Sequence, residues 1–202
     1  MNALGTIGGL GLRGLNYSNL PTSEQAIIPI PSTSFSSSSA TVSGQTWRNG
    51  VYSTSWSDEF GSTFAGQYMF NTDSSPQVAD NVCWASANGG YSGGNALTTY
   101  STAGVYGSWN QIQLPFGIKL NRVQLSGGTQ YATAWQVFGS NDGSTWTSLI
   151  TESGMANYHL AYGSVYTVSS TTFYTYFRLV CTSTASGSHV EVPSIRIWGY
   201  LV

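Results

Sequence analysis

Charge is what this sequence has least of. Only 7% of its 202 residues are Asp, Glu, Lys or Arg, against about 25% in an ordinary soluble domain, so hydroxyls and amides carry its solubility. The six basic residues, Arg13, Arg48, Lys119, Arg122, Arg178 and Arg196, are scattered through a chain of net charge -2. That leaves no electrostatic footprint for a nucleic acid. So little charge also weakens repulsion between copies, which suits a subunit of a large assembly and equally a secreted β-sandwich.

Cysteine and histidine are nearly as scarce. Cys83 and Cys181 each sit in an apolar run without metal-ligand spacing and are expected as buried free thiols; a disulfide would need neighbouring strands. Nucleophilic catalysis needs a nucleophile, a base and an orienting group, yet only His159 and His189 offer an imidazole. His159, in MANYHLAYG, reads as a surface residue. No G-x-S-x-G elbow, phosphate loop or metal cluster is present. Asp58 and Glu59 are adjacent, so in a strand they point to opposite faces, and Asp142 is absorbed by a turn, which excludes a glycosidase pair. The chain is therefore not expected to be an enzyme. With no basic residue before Arg13 and no apolar block of leader length, neither a secretory signal nor a membrane span is expected.

What is present begins with leucine set in glycine. Leu4, Ile7, Leu10, Leu12 and Leu15 are separated by Gly5, Gly8, Gly9, Gly11 and Gly14. Glycine at that density opposes a stable helix, and the leucines oppose a solvated linker; the segment reads as an apolar arm that orders in a partner's groove. Residues 22–40 continue through a short turn at Ser23 to Pro29, Ile30, Pro31 and a serine run, an extended hinge. The organisation expected is an extended arm over 1–40, with Leu4, Ile7, Leu10, Leu12, Leu15, Ile28 and Ile30 as its partner-binding residues, and one domain over 41–202. Within the domain, strands are expected near 45–52, 66–70, 80–85, 108–114, 118–126, 134–140, 145–150, 164–168, 172–182 and 189–200, the spacing of an antiparallel sandwich. Asn141, Asp142 and Gly143 between two apolar-alternating runs mark a hairpin. Residues 86–107 form a glycine-rich insertion carrying Tyr91, Tyr100 and Tyr106, a length typical of functional or partner-ordered loops.

Several pieces line up in order: GSWNQIQLP at 107–115, KLNRVQLSGG at 119–128, AWQVFGSNDGSTWTSL at 134–149, TYFRLVC at 175–181 and VPSIRIWGY at 192–200. Their succession resembles the discoidin family, also called the coagulation-factor C-type domain, a galactose-binding-like jelly-roll sandwich. Trp109, Gln111, Ile112 and Leu114 match its W-x-Q-I-x-L strand, and Ser140, Asp142, Gly143 and Trp146 its S-x-D-G-x-x-W hairpin. Tyr174 or Tyr176 with Arg178 and Leu179 match its Y-x-x-R-L strand, and Trp198 with Gly199 its closing strand. The resemblance covers about residues 41–202 and implies an all-β, antiparallel jelly-roll β-sandwich with an added N-terminal arm.

The resemblance also implies a calcium site beside the termini, built in many members from an acid five positions before the final glycine, where this chain has Ser194. A second acidic segment reads MFNTD here, with Asn71 and Asp73. A hard cation needs several oxygens including carboxylates, so no cofactor is expected, calcium being the one candidate the resemblance leaves. Extracellular members often clamp their ends with a disulfide, and Cys83 and Cys181 do not occupy those ends. Trp109, Ile112, Val123, Leu125, Val137, Trp146, Leu149, Phe177 and Leu179 are expected on the inner faces of two sheets. Arg178 is expected as a structural guanidinium, stacked on Tyr or paired with a carboxylate.

Two functions from different classes fit these features. A non-enzymatic structural protein of a virion, such as a minor capsid, spike or tail-fibre protein, accounts for the low charge and for an arm that attaches to other structural proteins of the assembly. The alternative, which the resemblance implies by itself, is a carbohydrate-binding, adhesin-like or lectin-like module for cell-surface glycans, extracellular or on a cell surface. Its aromatic platforms would be Tyr91, Tyr100, Tyr106, Tyr158 and Tyr162.

Overall fold

The computed structural model describes residues 20–28, 35–71, 83–185 and 187–201. Leu4, Ile7, Leu10, Leu12, Leu15 and Ile30 of the expected arm lie outside them. The described residues form β1 (Gln25–Ile28), β2 (Ser39–Val42), β3 (Gly50–Trp56), β4 (Trp84–Ala85), β5 (Tyr91–Ser92), β6 (Asn95–Ala96), β7 (Ser101–Thr102) and β8 (Val105–Tyr106). Next come β9 (Ser108–Gly127), β10 (Ala132–Ser140), β11 (Thr147–Ser153), β12 (Ala161–Tyr162), β13 (Tyr166–Thr167), β14 (Tyr174–Thr184), β15 (Glu191–Val192) and β16 (Ile195–Leu201). Residues 66–70, expected as a strand, are a 3-10 turn. The strands expected at 108–114 and 118–126 are one continuous strand of 20 residues.

β9 belongs to two sheets. Its first half lies between β3 and β14, and its second half between β16 and the short β12 and β13. The first sheet runs β2-β3-β9-β14-β10-β11 and the second β1-β16-β9-β13, every pair antiparallel. Pro115, between the two halves, has no N–H to give to a ladder. Gly50 is packed against it so closely that a Cβ there would stand 2.4 Å from the Pro115 Cβ.

Alternation along β9 then fills the core. Ile112, Leu114, Phe116, Ile118 and Leu120 point inward, as a period of two requires. After Leu120 the phase flips, and Val123 and Leu125 are the next inward residues. Leu120 pairs with Gly199 but Arg122 with Trp198, so β9 holds one extra residue, a bulge that turns the following side chains over. Val137, Phe177, Leu179, Ile195 and Ile197 close the core from the facing strands, each burial worth about 1.5–3 kcal/mol. Cys83 and Cys181 are free and buried, and burial pushes the Cys83 thiol up to about 12.

Two of the expected core residues are elsewhere. With Ile112 inward, the same period sends Trp109 outward. Trp109 and Trp146 are only partly buried, and both rings pack on the Arg178 guanidinium, whose carbon lies 3.8 and 4.1 Å from their centres. Arg178 Nη2 and Nε donate to Gln111 Oε1 at 2.7 and 3.1 Å, and Nη1 donates to Thr102 Oγ1 at 3.0 Å. Arg178 is thus structural, but its partners are tryptophans and neutral oxygens, not tyrosine or a carboxylate. Through Thr102 it also pins the β7–β8 hairpin of the 86–107 insertion onto the first sheet.

The boundary expected at residue 40 moves toward the N-terminus. β1 pairs with β16, and Ile27 and Ile28 are 1% and 0% exposed. Ile28 is therefore corrected from a partner-binding arm residue to core: the edge of β16 offers free backbone groups, and the two isoleucines fill the space beneath. Phe35 is likewise buried, and β2 pairs with β3. Glu24 fastens the entry, accepting from Arg122 Nε at 2.9 Å and from Asn121 Nδ2 at 2.6 Å, while Arg48 Nη2 donates to the Ala26 carbonyl. No helix among the described residues is long and apolar enough to cross a membrane.

Three measurements check this architecture. Ile28→Ala should lower the unfolding free energy by about 2–5 kcal/mol in urea denaturation, whereas an arm residue outside the core would change it by less than about 0.5 kcal/mol. Arg178→Ala should cost about 1–4 kcal/mol through two lost cation–π contacts, read in the same way. The hydrogen bond from Arg122 lowers the Glu24 pKa, so its contribution is complete above the ordinary glutamate value and is lost as pH falls through the lower folded value. The stability difference between the native chain and Glu24→Gln should therefore shrink steadily below about pH 4.

Candidate functional site

Because β9 doubles back, its two ends and the loops beside them share one end of the sandwich. Ser108 pairs with Cys181, and Gly127 with Ala161. Backbone bonds tie these loops together: Ala185 N–H donates to Tyr131 O at 2.9 Å, Glu191 N–H to Gln130 O at 2.9 Å and Gly89 N–H to Ser188 O at 3.0 Å.

A cleft of about 320 Å³ opens here, between Trp135 of β10 and the segment from Met155 to Tyr166. Leu125, Trp135, Met155 and Tyr158 give it an apolar lining, and Asn157, Tyr162 and Ser164 add polar atoms. Trp135 and Tyr158 are 1% and 8% exposed, while Asn157 and Ser164 are open to solvent. Trp135 meets the Tyr166 ring edge-on at 5.2 Å, and the Tyr166 hydroxyl donates to Met155 Sδ at 2.7 Å. Burial and the nearby Glu152 carboxylate raise the Tyr166 pKa. The Tyr158 hydroxyl donates to Ala132 O at 2.6 Å, and its ring packs on Tyr131 at 4.9 Å. Burial lifts its pKa far above the usual phenol range.

Gly127 makes that packing possible. A Cβ at this position would stand 2.6 Å from Tyr131 Cβ and 2.8 Å from the Tyr158 ring. Tyr162 sits on the outer side, its ring centre 3.7 Å from the Arg196 guanidinium carbon.

The five tyrosines expected as platforms do not converge. Tyr158 and Tyr162 meet at the cleft. Tyr91 is 3% exposed, with its hydroxyl on Cys181 O at 2.7 Å, and is corrected from a platform to core. Tyr158 is similarly corrected: its ring is buried and forms cleft lining, not an open face. Tyr100 is partly buried, and Tyr106, 49% exposed, lies in the β7–β8 hairpin. Trp135, Met155 and Tyr166 were not foreseen. Trp135 reads as ordinary core in its strand, and nothing in the sequence marks that Met155 and Tyr166 come together beside it.

A second aromatic feature lies at the same end. Phe60 is 47% exposed, with the rings of Phe64 and His189 at 5.6 and 5.0 Å. His189 Nε2 stands 3.2 Å from Glu191 Oε1. Burial alone would raise the Glu191 pKa, but hydrogen bonds from His189 and from the Gln130 and Thr129 backbone outweigh it and the net shift is downward. His159 is exposed.

Of the residues at the calcium positions of the discoidin pattern, the two described bring no carboxylate, whereas a hard cation asks for several oxygens including carboxylates. Ser194 is 3% exposed and brings no carboxylate, and its carbonyl is taken by Ser126 N–H at 2.9 Å. Asn71 spends its Oδ1 on the Phe35 N–H at 2.6 Å. Asp73 lies outside the described residues.

No protein-family model and no curated protein sequence matches the chain. Solved structures do. Chitosan-binding module 2 of a chitosanase/glucanase from Paenibacillus sp. IK-5, in complex with chitotriose, is 23% identical at a TM-score of 0.54, the match covering 73% of this chain and 95% of that one. The family 32 carbohydrate-binding module of Clostridium perfringens NanJ, in complex with galactose, is 10% identical at a TM-score of 0.52, covering 73% and 93%. The fold also occurs inside a larger enzyme: a family 89 glycoside hydrolase from Clostridium perfringens matches 75% of this chain with 14% of its own length, at 12% identity and a TM-score of 0.51.

These neighbours overturn the expectation of a virion component. The modules among them are carbohydrate-binding, and neither they nor the glycoside hydrolase is a virion component. The low charge that suggested an assembly subunit is equally the composition of a binding sandwich, and the arm lost Ile28 to the core. The chain has the galactose-binding-like, discoidin-type β-sandwich fold of these carbohydrate-binding modules.

Proposed function

We propose that this domain is a non-catalytic carbohydrate-binding module that takes an uncharged sugar into the cleft between β10 and the 155–166 segment. It would act where glycans are displayed, outside the cell or at its surface. The cleft's lining carries the proposal. Aromatic and apolar side chains accept the C–H faces of a pyranose, and Asn157 and Ser164, open to solvent, can exchange hydrogen bonds with its hydroxyls. No lining residue is Asp, Glu, Lys, Arg or His, so the lining itself offers no ion-pair partner to a charged sugar. Glycoside hydrolysis needs two facing carboxylates, and the lining supplies none, which supports binding without turnover. The fold shared with modules solved in complex with chitotriose and galactose supports the same reading.

Glycan-array screening followed by calorimetry tests it. At least one neutral glycan should bind, Tyr162→Ala should weaken it roughly tenfold by removing an aromatic contact, and Tyr106→Ala should leave it unchanged. No binding to any glycan on the array, or full affinity in a folded Tyr162→Ala variant, would overturn the proposal.

A further inference from the structure

We infer that Arg196 is a positioning residue for the cleft: with Gln124 it holds the 161–164 segment from behind and so sets where Tyr162 stands. The inference rests on the sugar-binding reading of that cleft. Arg196 lies on β16 and pairs in register with Gln124 on β9, and neither side chain lines the cleft itself.

The contacts form a chain from the second sheet to the loop. Arg196 Nη1 donates to Gln124 Oε1 at 3.4 Å, a long contact. Gln124 Nε2 then donates to the Gly163 carbonyl at 2.8 Å. The Arg196 guanidinium carbon lies 3.7 Å from the Tyr162 ring centre. One guanidinium thus touches a cleft residue by its ring and, through one amide, that residue's neighbour by its backbone.

The segment needs such support. β12 is two residues long and pairs only with Gly127 and Ser126. Leu160, just before it, is 44% exposed and holds a φ of 51°, a left-handed conformation that costs a branched residue free energy and persists only where its surroundings enforce it. Leu160 and Gly163 N–H donate to Gly127 and Leu125 carbonyls at 2.8 and 2.9 Å. Those bonds fix the backbone at two points. The ring of Tyr162 between them is held on one face by Arg196, a contact that a planar cation makes well and that desolvation strengthens.

Hydrogen exchange without sugar and sugar affinity, measured together on the full chain, test this. In Arg196→Ala the amides of Leu160 and Gly163 should exchange faster while those of β14 keep their protection, and affinity for the glycan identified above should fall roughly tenfold, about one cation–π contact. Arg196→Lys, which keeps the charge but not the planar stack, should recover part of both. The double variant Arg196→Ala with Tyr162→Ala should bind no more weakly than Tyr162→Ala, since Arg196 acts through that ring. Gln124→Leu provides the exchange comparison if Arg196→Ala does not fold. Unchanged loop exchange in a folded Arg196→Ala or Gln124→Leu variant overturns the inference, as does full additivity of the two alanine substitutions. If the native chain binds no glycan, the functional proposal falls, and the exchange data alone still decide whether Arg196 holds the loop.

Discussion

Membership of β9 in both sheets is the constraint from which most of this structure follows. A strand that pairs with β3 and β14 along one half and with β16 along the other returns to the end of the sandwich where it began. The loops next to its two ends are therefore neighbours. The bulge after Leu120 has an equally specific effect. By reversing the phase it sends Leu125 inward, where it lines the cleft, and Gln124 outward, where it meets Arg196. A β9 without that extra residue would exchange the two.

Scarcity of charge shapes the second layer of the structure. Each described basic residue lies over an aromatic ring: Arg48 on Trp47, Lys119 on Phe173, Arg122 on Trp198, Arg178 on Trp109 and Trp146, and Arg196 on Tyr162. Among the described residues a carboxylate serves one of these cations only at Glu24–Arg122. A cation on a ring can keep its donors for neutral oxygens, as Arg178 does with Gln111 and Thr102. Stacking thus ties together strands and loops that share no backbone ladder. It also leaves the cleft lining uncharged, which is why an uncharged sugar is the ligand proposed.

Local signals in the sequence were legible where one segment closes on itself. The Asn141-Asp142-Gly143 turn forms with Gly143 at a φ of 71°, and Asp142 Oδ1 accepts from the Ser144 and Thr145 N–H groups at 2.8 and 2.7 Å. Those bonds hold the Asp142 carboxyl well below the usual carboxylate range, so its role as a turn residue could be read in advance. Trp146, four residues on, could not be placed. It precedes β11, and the β10–β11 ladder shifts register between Val137 and Phe138, so its side is set by the turn and not by strand alternation. Trp109 was misplaced for a simpler reason: its strand does alternate, but only the partner strands reveal which parity faces the core.

Composition and period by themselves determined an all-β sandwich with little charge, and the ordered strand motifs pointed to the discoidin-type fold now observed. Tertiary structure alone decided that Ile28 completes the second sheet, that Tyr91 and Tyr158 are buried, and that Trp135, Met155 and Tyr166 meet in one cleft. The physical reason is range. Turn chemistry and alternation act within a few residues, whereas the cleft is set by cross-strand register and a one-residue bulge, which join segments that the sequence keeps far apart.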